Sequence, residues 1–223
     1  MTAEPKRVLT EPWDVNKRLA EIGVTSEILI KAVEASQAAR AACTENDAPN
    51  FPGIAAWNGA VRSIREDLVL EEWRRLNDTG QPLIVRPDNA LAITCTSADE
   101  NTGKEGEFDP KTNSCKGPRT LEKIELNGWL FLELEQDAAA KVEAINKQRM
   151  NTWMLLIHYD KGLGQVRSEL SKPVAADPDG IIVGWSERII LPSFDVEPEF
   201  SALPDEGSGP DGGEIDIDIK RRA

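Results

Sequence analysis

The sequence predicts an α+β fold: N-terminal helices packed on a mostly antiparallel β-sheet, followed by a disordered acidic C-terminal tail. Three observations predict it. Apolar residues recur at helical spacing between residues 15 and 80, as at Trp57, Val61, Ile64 and Leu68. From residue 81 the period shortens, and Asn151 to Pro192 reads as three apolar, β-branched runs separated by turn formers, the pattern of an antiparallel meander. Beyond Phe194 the composition turns to Asp, Glu, Pro, Gly and Ser, which bury too little apolar surface to offset the entropy of ordering. The expected organisation is an N-terminal arm over 1–14 and a single domain over 15–194, then a flexible tail over 195–223. Within the domain, 15–80 forms the helical layer and 81–194 the β-rich part.

Composition narrows the function classes. The chain of 223 residues is 40% hydrophobic and has a formal net charge of -13, to which residues 195–223 contribute nine acids and three bases. An acidic body lacks the clustered Lys and Arg that grip a phosphate backbone, which argues against direct nonspecific binding of nucleic acid. No run approaches the ~20 apolar residues that span a bilayer, and the start of the chain has no apolar leader core, so a cytoplasmic protein without membrane contact is expected. Cys43, Cys95 and Cys115 form no CxxC pair, and His158 is the single histidine. Zinc wants several Cys or His at close spacing, so reduced thiols are expected, with no metal and no cofactor.

Taken in order, Pro5 and Pro12 interrupt the arm, and Trp13 is a large apolar group expected to dock on the domain. A short helix runs from Val15 to Ile22 and stops at Gly23. Thr25 is an N-cap, with Glu27 in the first turn where the helix dipole favours an acid. The helix that follows runs to about Thr44, and its alanines leave room for a close neighbour. Pro49, Pro52 and Gly53 make Glu45 to Gly53 a connection. The next helix buries the Trp57, Val61, Ile64 and Leu68 face and ends at the turn cluster Asn77 to Gly80. Its other face carries Arg62 four residues before Glu66, a solvated pair.

PLIVR and ALAIT then form a hairpin joined by Pro87, Asp88 and Asn89. Residues 97–120 are a long polar loop, a length that marks a functional or mobile segment. KIEL and GWLFLELE supply one or two strands, and Asp137 to Met150 an amphipathic helix. NTWMLLIHYD is apolar on both alternations, so it belongs at the centre of the sheet. GQVRSELS has one wetter face, Asp177 to Gly180 is a turn, and the last strand stops at Pro192.

The candidate chemistry is sparse. Thr102, Gly103 and Lys104 lack the earlier glycine of a phosphate-binding loop, and Glu105 stands where a hydroxyl would be needed. The order of elements from the third helix onward, helix, two strands, a strand bearing Glu133 and Glu135, helix, strand, resembles the core of restriction-endonuclease-like nucleases. That resemblance implies Asp88, Glu133 and Glu135 as metal-holding carboxylates, but the lysine such nucleases use beside them is missing from Glu133, Leu134, Glu135. His158, at the end of an apolar strand, is expected to be a hydrogen-bonded structural residue.

Arg167, Glu169 and Arg188 stand on the wetter strands as candidate partner-binding residues. In the final EIDIDIKRRA, Ile215, Ile217 and Ile219 alternate with polar residues, a strand pattern suited to β-strand addition to a partner's sheet edge. The function expected from these features is a non-catalytic accessory or adaptor subunit of a bacterial-type multiprotein complex, bound to a protein partner through a sheet face and a tethered C-terminal peptide. The alternative is a metal-dependent nuclease using Asp88, Glu133 and Glu135. A third expectation is small-molecule sensing by the loop 97–120.

Overall fold

The computed structural model describes residues 6–78, 80–106, 108–117, 121, 124 and 150–196. The strand expected over GWLFLELE, the helix expected over 137–149, and Glu133, Glu135, Ile215, Ile217 and Ile219 lie outside these residues.

Helix α1 (Pro12–Ile22) begins on the proline itself. The first N–H groups of a helix have no intrahelical partner, so a proline there costs nothing and its ring presets φ. Helix α2 (Ser26–Ala41) is capped as its sequence predicts, the Thr25 hydroxyl accepting from the Ile28 N–H at 3.2 Å. Helix α3 (Phe51–Leu70) takes Pro52 into its first turn for the same reason as α1, so the connection is shorter than expected. α3 also ends earlier than the turn cluster at Asn77. Glu72 enters the left-handed region, and Arg74–Asp78 becomes strand β2, paired along its whole length with β3 (Gln81–Val85). Partners across a hairpin outweigh the helical spacing of Glu71, Arg74 and Arg75, because isolated i,i+3 and i,i+4 pairs contribute only a few tenths of a kcal/mol.

Strand β4 (Leu91–Ser97) pairs antiparallel with β3 and parallel with β5 (Asn151–Asp160). β5, β6 (Gln165–Ala176) and β7 (Ile182–Ile190) form the expected antiparallel meander. The arm is not free of the sheet: Arg7–Leu9 is strand β1, lying parallel to β7 at its outer edge. A two-residue β8 (Phe194–Asp195) pairs with β6 beyond the end of β7. The sheet order is β1-β7-β6-β5-β4-β3-β2, eight strands with β8. Three helices and this mostly antiparallel sheet make an α+β fold.

Strand alternation gives the sheet two different faces. Ile93, Cys95, Trp153, Leu155, Leu170 and Ile189 meet Leu19, Leu29, Val33, Ile64 and Leu68 of the helices in the main core. Arg18 of α1 reaches Glu187 of β7 through two hydrogen bonds of 2.8 and 2.9 Å, which fastens α1 to the sheet. The opposite face carries Met154, Leu156, Ile182 and Trp185 in a second cluster with Ala98 and Ile124. β5 is therefore covered on both sides, as its apolar run predicts. α2 and α3 approach closely at Gly59, where a Cβ would stand 2.6 Å from the Ala35 carbonyl oxygen.

Trp57 and Trp13 differ from expectation. Val61, Ile64 and Leu68 are buried, but Trp57, a turn nearer the helix start, is 41% exposed. Trp13 projects into solvent, with the Lys17 ammonium 5.0 Å from its ring centroid. No helix among the described residues is long and apolar enough to cross a membrane.

Candidate functional site

On the second face of the sheet, the loop 97–120 is tied down by charge. Arg188 donates from Nε and Nη2 to the two oxygens of Glu169 at 2.9 and 2.5 Å, and both side chains are 0% exposed. Glu169 also accepts from the Ser171 hydroxyl at 2.7 Å and from the Gly103 N–H at 2.9 Å. Arg188 reaches the Lys104 carbonyl at 3.2 Å, and Arg167 reaches those of Thr102 and Glu100, both at 3.1 Å. Gly103 has a φ of 68°, and a Cβ there would stand 2.9 Å from the Arg167 Cβ, so the loop can sit this close only through glycine. Burial pulls the Arg188 pKa down, but the hydrogen bonds and charge of Glu169, helped by Asp109 and Asp99, leave it above the ordinary guanidinium value.

These facts correct the expectation that Arg167, Glu169 and Arg188 present a wet recognition face. The alternation that put them on one side of β6 and β7 is real, but that side is roofed by residues 99–106, 108 and 109. Their hydrogen bonds go to the chain's own loop and sheet. A buried pair of this kind holds together because each charge meets several partners in a water-poor place.

The other half of the loop shapes a cleft. The β3–β4 ladder contains only Ile84↔Ile93 and Val85↔Ala92. Toward the end of β4 the strands separate at Pro82, which has no N–H to give the ladder, and the Thr94 hydroxyl donates instead to the Pro82 carbonyl at 2.9 Å. Residues 112–116 close the far side. The Thr112 N–H donates to the Ile182 carbonyl at 3.2 Å, the Lys116 N–H to the Gly180 carbonyl at 2.8 Å, and the Trp185 indole to the Pro110 carbonyl at 2.8 Å. The resulting cleft, about 430 Å³, lies between the start of α3 and the separated strands. A second hollow of about 290 Å³ adjoins it across Trp57 and Cys95, walled by Ala56, Ala60, Ile157 and Tyr159.

Lys116 is the charged group of the cleft. Its ammonium donates to the Thr96 hydroxyl at 2.7 Å and to the Ser114 hydroxyl at 2.9 Å. Among the described residues no carboxylate pairs with it. Burial pulls its pKa down to about 8. Trp57 lines the cleft with its indole N–H donating to the Cys95 carbonyl at 3.2 Å, and it stays 41% exposed. Burial pushes the Cys95 thiol up to about 12, so it stays a neutral, inert wall.

His158 keeps the structural place expected of it, with Nδ1 3.0 Å from the Ala98 carbonyl oxygen. Asp88 lies in the β3–β4 turn, where Arg86 holds its carboxyl below the usual range through contacts of 2.9 and 2.7 Å, and where it caps the Ala90 N–H. Glu133 and Glu135, the other two carboxylates of that expectation, lie outside the described residues. Among the described residues no group of three His, Cys, Asp or Glu is placed to hold a metal ion.

Sequence reasoning singled out the loop but gave no role to Lys116 or Ser114 within it, nor to Thr96 of β4. The legible signal was Pro82 inside a strand-forming run, which marks a place where a ladder must open.

A third surface lies between α2 and α3. Ala35, Ala38, Ala39, Ala55 and Gly59 floor a groove of about 760 Å³. Phe51 and Ile54, 43% and 48% exposed, stand at one end of it. No family model, curated protein or solved structure matches the chain.

Proposed function

We propose that this chain is a non-catalytic accessory subunit of a bacterial-type multiprotein complex, holding an amphipathic helix of its partner in the α2–α3 groove. The observation that carries this reading is the groove itself. Its floor is small and apolar, and Lys31, Glu34, Arg62 and Glu66 surround it. An apolar centre within a charged rim is the anatomy of protein interfaces. A trough between two helices also suits side chains spaced i, i+3, i+4 on a third. The tethered EIDIDIKRRA adds a second contact, with Ile215, Ile217 and Ile219 as the face that a partner's sheet edge would take.

The sheet face takes no part in this proposal, because Arg167, Glu169 and Arg188 are occupied within the chain. The test is affinity purification of the full chain against two variants, Ile54→Glu and a deletion of residues 205–223, each checked for its fold by circular dichroism. Ile54→Glu places a charge at the end of the groove and is expected to lose the partner recovered with the unaltered chain. The deletion is expected to weaken its recovery. Retention of the same partner by both folded variants would overturn the proposal.

A further inference from the structure

We infer that the cleft between α3 and the parted strands β3 and β4 is a binding site for a small organic monocarboxylate, held by Lys116, Thr96 and Ser114 at its carboxylate and by Trp57, Pro82 and Met154 around its apolar body. The argument begins with the cation. A half-buried ammonium pays a desolvation cost, and proteins ordinarily offset it with a carboxylate. Among the described residues Lys116 meets two hydroxyls and no carboxylate, so within them its charge is solvated but not neutralised. An anion entering the cleft would supply the missing charge, and Ser114, exposed at the same place, has a hydroxyl proton to donate beside it.

The number of cations sets the charge of the ligand. Lys116 is the single cationic residue lining this cleft among the described residues. One ammonium matches one negative charge, whereas a phosphate dianion would bring a surplus charge into a chain already at -13. The walls set the rest of the ligand. Ile54, Trp57, Pro82 and Met154 are apolar, and an indole such as that of Trp57, 41% exposed, offers a partner for stacking a flat ring. A volume of about 430 Å³ is within the range of small-molecule sites, and the adjoining hollow, which Arg40 and Lys161 also line, continues past Trp57.

The geometry of the strands explains why such a site is built here. Where a ladder closes, the edges of β3 and β4 satisfy one another and no space remains. Pro82 ends the ladder, the two strands part, and Lys116 is delivered into the gap by a segment anchored to β7 and to the turn before it. Cleft and cation thus share one structural cause.

The experiment is calorimetric titration of the full chain with benzoate, phenylacetate, benzamide and inorganic phosphate. Saturable binding of benzoate or phenylacetate is expected, with benzamide, which keeps the ring and loses the charge, at least about tenfold weaker. Lys116→Met removes the charge and keeps the stem, so it should weaken the carboxylates by about tenfold or more and leave benzamide unchanged. Trp57→Leu, at a half-exposed position, should weaken both ring compounds together, and it separates loss of stacking from loss of charge if Lys116→Met does not fold. The inference is overturned if neither carboxylate binds saturably, if benzamide binds as tightly as benzoate, or if Lys116→Met binds benzoate unchanged. Tighter binding of phosphate than of either carboxylate would overturn the assignment of ligand class.

Discussion

Removing one member of the fully buried Arg188–Glu169 pair should cost this protein a large part of its stability. In Glu169→Leu the guanidinium starts from 0% exposure with the carbonyls of Lys104 at 3.2 Å and Asn101 at 3.5 Å and the Asp109 carboxylate at 3.4 Å as its remaining partners. Losing the close partner of a buried ion pair costs about 3–5 kcal/mol, and the more distant Asp109 offsets only part of it. In Arg188→Met the carboxylate keeps the Ser171 hydroxyl and the Gly103 N–H, so a loss nearer about 3 kcal/mol is expected. The double substitution removes both charges and leaves chiefly the Gly103 N–H and the Lys104 carbonyl to find water, each costing about 1–2 kcal/mol. It should therefore be no worse than the poorer single variant, a coupling of about 3 kcal/mol. Urea unfolding, with the midpoint read at constant slope, measures all three. A single substitution costing less than about 1 kcal/mol, or losses that simply add in the double variant, would refute the claim that the pair pins the loop.

Two further outcomes follow from the geometry. Gly59→Ala puts a methyl 2.6 Å from the Ala35 carbonyl oxygen, so α2 and α3 must part; despite alanine's better helix propensity, a loss of about 1–3 kcal/mol in urea unfolding is expected. Lys116 has a folded pKa of about 8, below the ordinary 10.5, so below about pH 8 the folded state carries the full cost of its buried charge. Between those values the folded chain releases the proton while the unfolded chain keeps it, and stability contributed by this group rises with pH, by about 2 kcal/mol once its partial exposure is allowed for. Over the same window the unaltered chain should gain that amount of unfolding free energy relative to Lys116→Met; a constant difference would show that burial does not perturb the lysine.

What the sequence by itself determined is local. Thr25 as a cap, the helical spacing of Val61, Ile64 and Leu68, the all-apolar run of β5 and the turn at Asp177 to Gly180 each depend on residues within one or two turns of each other, and all are found in the structure. What only the tertiary structure decided is non-local. The short runs Arg7–Leu9 and Arg74–Asp78 become strands because β7 and β3 offer them partners, which no periodicity of their own records. The alternation of β6 showed correctly that Arg167 and Glu169 share a face, but not that residues 99–106, 108 and 109 would roof it. The cleft is legible afterwards in Pro82 alone. Lys116 meets Thr96 across 20 positions of chain, and a pairing at that distance is set by which segments pack together, not by the residues on either side of it.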